Sequence, residues 1–145
     1  MLRIRHLSAA LVAIRRRILV TMLTETRRQR GAASERLAMQ YLQARGLVVL
    51  ARNLRCKAGE LDLVCLDRQV LAIVEVRQRG SAAFGGAISS VTWRKQRKII
   101  RAARFFLQRQ PRWHSHVMRF DVLALEGLPA GAHRIVWIQD AFRVG

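Results

Sequence analysis

Three apolar runs, about Leu47–Leu54, Glu60–Leu66 and Val70–Arg77, follow one another with only short polar breaks, each rich in valine, leucine or isoleucine. Segments of this length and composition are strands, and their near-continuous apolar character calls for cover on both faces of a sheet. A helix over about Ala33–Arg45 precedes them, with Ser34 near its start, Gly46 as a stop signal and Leu37, Ala38, Tyr41 and Leu42 as its buried stripe. A second helix, about Thr92–Gln110, ends at Pro111. Strands near Val117–Leu125 and His133–Gln139 follow, joined across a Gly/Pro turn region, Glu126–Ala132. The order α-β-β-β-α-β-β predicts an α/β fold with one central sheet flanked by helices.

At 145 residues and 51% hydrophobic, the chain is long enough for one core that buries roughly 70% of its unfolded surface. Residues 31–145 carry the globular pattern. Residues 1–30 read as a basic, loosely attached helical extension, with Met22 as a second plausible start and a transit or membrane-surface role as the alternative. The apolar stretch Leu7–Ile14 runs straight into Arg15-Arg16-Arg17, unlike a signal peptide, and no run is long enough to span a bilayer. Cys56 and Cys65 lack ligand spacing and read as buried thiols, which fits a cytoplasmic protein. Gly80–Ser90 reads as a loop.

The chain holds 27 Lys+Arg against 9 Asp+Glu, a formal charge of +18. These cations are spread through the folded part, so the surface itself is positive and a polyanion is the expected partner, nucleic acid ahead of an anionic membrane. On the helix Thr92–Gln110, residues Arg94, Arg97, Lys98, Arg101 and Arg104 share one arc, while Ile99, Ala103, Phe106 and Leu107 share the opposite one. That cationic arc, with Arg79 and with Lys95 at its margin, is the predicted contact to a phosphate backbone. No groove-reading motif accompanies it, so strand structure rather than base sequence is the expected determinant. His114 and His116 form H-x-H without a third ligand and read as a surface loop.

Acids in so basic a chain need a reason, and Glu60, Asp62 and Glu75 all fall between residues 59 and 79. Pleating puts Glu60 with Asp62 and Glu75 with Arg77. A two- or four-residue turn around Arg68-Gln69 sets Asp62 opposite Glu75, whereas a three-residue turn separates them. If they meet, a hard dication such as Mg²⁺ relieves their repulsion and brings phosphodiester hydrolysis within reach. The alternative is ordinary ion pairing with Arg77 and Arg79. Glu35 lies on the inward side of the first helix, near its start.

The strings Gly59-Glu60-Leu61-Asp62-Leu63-Val64 and Val74-Glu75-Val76-Arg77-Gln78-Arg79 resemble the YraN family, a bacterial group related to archaeal Holliday-junction resolvases and the wider restriction-endonuclease-like superfamily. The resemblance covers about residues 30–125 and takes in Glu35, Gly46, Arg52-Asn53, Phe84-Gly85, Lys95 and Arg119-Phe120-Asp121-Val122. It implies a restriction-endonuclease-like mixed sheet and a Mg²⁺- or Mn²⁺-dependent DNA endonuclease, with DNA favoured over RNA and action as a homodimer. Asp62 and Glu75 would then bind the metal, helped by Glu60, while Glu35 assists from the first helix and Lys95, which matches a family lysine, would approach the site from the second, a solvated lysine being the alternative. Arg77 stands where the superfamily has a catalytic lysine. A guanidinium keeps its proton and serves only as a phosphate clamp, so a non-catalytic nucleic-acid-binding module with the same fold is the alternative reading.

Overall fold

The computed structural model describes residues 31–79, 86, 88–127 and 132–145. The expectations for the extension 1–30, most of the loop 80–90 including Phe84-Gly85, and the middle of the 126–132 turn fall outside those residues. The account below concerns the unit Ser34–Gly145.

Helix α1, described over residues 31–43, ends in a Schellman turn. Leu47 N–H donates to the Leu42 carbonyl at 3.2 Å and Gly46 N–H to that of Gln43 at 3.0 Å. Gly46 takes the left-handed φ of 87° that this cap requires. Strands β1 (Val48–Cys56), β2 (Gly59–Asp67) and β3 (Val70–Arg79) then form an antiparallel meander. Helix α2 (Trp93–Arg109) crosses over to β4 (Val117–Gly127), which lies parallel to β3, and β5 (His133–Phe142) completes the sheet in the order β1-β2-β3-β4-β5. The predicted mixed sheet and element order are therefore observed.

Each face of the sheet has its own core. Val64, Leu71, Ile73, Phe120, Val122 and Ala124 pack under Ile99, Ala102, Ala103 and Phe106 of α2. On the other face Leu63, Cys65, Ala72, Val74, Leu123 and Leu125 pack with Ala38 and Leu42 of α1. Strict alternation between the two clusters explains why these strands read as unbroken apolar runs.

The backbone ladder between β2 and β3 stops at Leu63↔Val74, although β3 continues to pair with β4 as far as Arg79↔Glu126. Beyond Leu63 the alternation of β2 also breaks, and Leu61 joins the α2-side cluster. The two strands thus part company at the row that carries Asp62 and Glu75.

Candidate functional site: a carboxylate pair on two strands

The β2–β3 turn pairs Asp67 with Val70, leaving two residues between them, and Arg68 adopts a left-handed φ of 57°. Counting back from that turn, Asp62 comes opposite Glu75, the register that builds a site. The Asp62 carboxylate fills the place where the ladder ends, with Oδ2 accepting the Val76 N–H at 2.9 Å. Glu75, only 4% exposed, has its carboxyl within hydrogen-bonding reach of Asp62.

Two cations answer this pair. Arg77 Nη1 lies 3.6 Å from Glu75 Oε1, as the i, i+2 pleat requires, while its Nη2 donates to the Ser90 carbonyl at 2.9 Å. Lys95 Nζ reaches the same Glu75 oxygen at 3.4 Å. Thr92 caps α2 by accepting the Lys95 N–H at 3.2 Å. Burial, and then the Asp62 charge, push the Glu75 carboxyl up to about 7, with Lys95 opposing.

Lys95 belongs to the inward face of α2 rather than to the cationic arc. Residues 95, 99, 102 and 106 form one heptad-like stripe, and Ile99, Ala102 and Phe106 are all buried. The family match of Lys95 already offers its approach to the site from the helix, and this stripe supplies the geometric reason.

The other predicted acids have partners of their own. Glu60 turns to its cross-strand neighbour Arg55 at 3.5 Å and is 41% exposed. Glu35 accepts from Asn53 Nδ2 at 2.7 Å, which ties α1 to a β1 residue whose φ is 48°. Among the described residues no group of three or more His, Cys, Asp or Glu side chains converges on a common metal position. The donor set is thus two carboxylates, enough for a Mg²⁺ that completes its shell with water and substrate phosphate.

A second buried acid shows what structural use looks like here. Asp121, fully buried beside Val74 on the α1 face, is saturated. Arg119 donates to both its oxygens at 2.8 and 2.9 Å, Trp137 Nε1 to Oδ2 at 3.1 Å and the Asp140 N–H to Oδ1 at 3.0 Å. Arg119 also reaches Asp67 at 3.0 Å, so one cluster ties β2, β4 and β5. Burial, then Asp121 and Asp67, push the nearby Cys65 thiol up to about 12, which makes it inert. Glu75, on the opposite face and one row away, has no comparable set of donors among the described residues.

The predicted cationic arc is present. Arg94, Arg97, Lys98, Arg101 and Arg104 are all exposed, whereas Phe105 is half-buried beneath Arg109 at 4.9 Å. His114 caps the far end of α2, its Nε2 2.6 Å from the Leu107 carbonyl. No described helix is long and apolar enough to cross a membrane.

Fold and site together define an α/β domain in which a parting strand pair exposes two carboxylates to cations from strand and helix. The chain belongs to UPF0102, described as an uncharacterised protein family, whose match spans residues 34–125, the family to which the YraN resemblance pointed. It is 50% identical over 112 residues to a UPF0102 protein of Pseudomonas putida strain GB-1, covering 77% of this chain and 91% of that one. A UPF0102 protein of Pseudomonas syringae pathovar syringae strain B728a is 47% identical over 121 residues, covering 83% and 98%.

Proposed function

We propose that this protein is a cytoplasmic, Mg²⁺- or Mn²⁺-dependent nuclease of the restriction-endonuclease-like kind, hydrolysing phosphodiester bonds in branched or damaged DNA. The observation that carries the reading is Glu75 held buried against Asp62, at the point where β2 and β3 separate, with Lys95 and Arg77 beside it. Asp121 is buried and held by four hydrogen bonds, whereas Glu75 is buried beside the half-buried Asp62 with looser contacts to Lys95 and Arg77 at 3.4 and 3.6 Å.

Asp62 and Glu75 are the residues that would hold the ion, which when bound polarises a phosphate and activates water. Lys95 and Arg77 keep positive charge where the phosphodiester's own charge would develop. The cationic arc of α2 binds the nucleic-acid backbone and brings it to the helix end that carries Lys95. The non-catalytic alternative rests on Arg77, whose guanidinium is anchored to Ser90 and holds its proton.

The purified protein, incubated with branched and linear DNA plus either ion, should cut, and Asp62→Ala should reduce cutting by about a hundredfold or more, as expected for loss of a group that supports the metal chemistry. Cutting unchanged by Asp62→Ala rejects this site. Independently of turnover, millimolar Mg²⁺ at about ten times its Kd should add about 1.4 kcal/mol of stability, and Asp62→Asn should abolish that gain. Metal-dependent stabilisation and DNA affinity without turnover would select the non-catalytic module.

A further inference from the structure

Trp93 opens α2 with its side chain 69% exposed, the most exposed tryptophan among the described residues. It sits at the head of a groove of about 460 Å³ lined by Arg97, Ile100, Arg101 and Arg104 of α2 and, from the C-terminal segment, by Arg143. Among the described residues no acidic side chain lines that groove, although its Arg143 is paired with Asp140. Arg97 stacks its guanidinium 4.7 Å from the Trp93 ring centroid, which covers one face of the indole and orders it.

We propose that this groove is a subsite for an unpaired strand of nucleic acid, with a base stacked on Trp93 and the backbone phosphates taken by Arg97, Arg101, Arg104 and Arg143. The inference rests on the nucleic-acid reading above and adds to it a substrate class. An exposed indole has little to offer a duplex, whose bases are already stacked, whereas a free base gains its stacking partner there. Arg97, Arg101 and Arg104, which make no ion pair with an acid among the described residues, suit phosphates spaced along a strand, and Arg143, shared with Asp140, closes the far side. Trp93 lies two residues before Lys95, so the stacked base and the carboxylate pair belong to the same end of α2. The substrate is accordingly a nucleic acid with an unpaired nucleotide beside the bond to be cut.

The test titrates the full chain, in EDTA, into a labelled oligothymidylate and into a blunt hairpin with the same number of phosphates. Trp93→Ala should weaken oligothymidylate binding about tenfold or more and leave the hairpin within about twofold, since one base stack is lost from the single strand alone. Trp93→Phe should restore most of the loss, which separates stacking from damage to the fold. Arg104→Gln should weaken both ligands alike and make the log–log salt slope shallower by about 1. Equal weakening of both ligands by Trp93→Ala, or none, overturns the subsite while leaving the nuclease proposal to its Asp62 test. Failure to bind either oligonucleotide, with binding to phosphatidylserine vesicles instead, would overturn the nucleic-acid assignment and give the groove to a membrane surface.

Discussion

Glu75 is a buried acid whose protonation is linked to folding. Its carboxyl is pushed from 4.5 to about 7, first by burial and then by Asp62, against Lys95. Between those two values the folded protein holds a proton that the unfolded chain has released. Stability contributed by this group is therefore complete below about pH 4.5 and declines as the pH rises towards 7. Glu75→Gln removes that decline. In EDTA it should flatten the pH dependence over this window and leave the protein more stable at pH 8, by on the order of 1–2 kcal/mol once the lost Lys95 contact is allowed for. Urea midpoints at pH 5 and pH 8 measure it, and an unaltered pH dependence would mean that Glu75 is solvated. The pleat made the pairing of Glu75 with Arg77 legible in advance, because neighbours two apart share a face whatever the fold. The turning of Glu60 to Arg55 was not legible, because it depends on the register of β1 against β2.

At the scale of elements, the β1–β2 hairpin comes close to α2 at Gly59. Gly59 has a φ of 153°, and a Cβ there would stand 3.1 Å from the Lys98 carbonyl oxygen. Gly59→Ala should therefore cost about 1–3 kcal/mol through strain and displacement of the helix. The urea midpoint should fall with m unchanged. The strand and helix positions were readable from apolar runs, a Pro stop and a Gly cap, and the structure differs mainly by extending strand ends by one to three residues. The glycine of the G-E-x-D string could be read as a turn residue, but its role as the contact point for a helix some forty residues later could not. Lys95 repeats the lesson from the helix side: the stripe 95-99-102-106 is periodic in the sequence, yet only the packing of α2 on the sheet shows a lysine at its head reaching a glutamate.

For the molecule as a whole, Asp121 joins three strands that are far apart in sequence. It bonds Arg119, Trp137 and the Asp140 backbone, and through Arg119 it reaches Asp67. Removing it strands a half-buried guanidinium and two further donors. Asp121→Ala should cost about 3–5 kcal/mol, lowering the melting temperature by on the order of 10 °C, and Asp62→Ala in EDTA should cost far less. Calorimetry on the two variants distinguishes the structural acid from the site acid, and equal losses would contradict that division. In a chain of net charge +18, self-repulsion works against compactness. Buried acids such as Asp121 and Glu126, the latter 2.7 Å from Arg134, offset part of it.

Local chemistry already contained the strands, the helices, the cationic arc of α2 and the common facing of Asp62 and Glu75 once a two-residue turn is granted, because pleat, helical period and turn length act over a few residues. Tertiary structure decided the rest: the parting of β2 from β3, the partners of Glu60 and Glu35, the arrival of Lys95, and the placing of Arg143 across from Trp93. Those depend on how one element is rotated and seated against another, and that is settled by packing between segments distant in the chain.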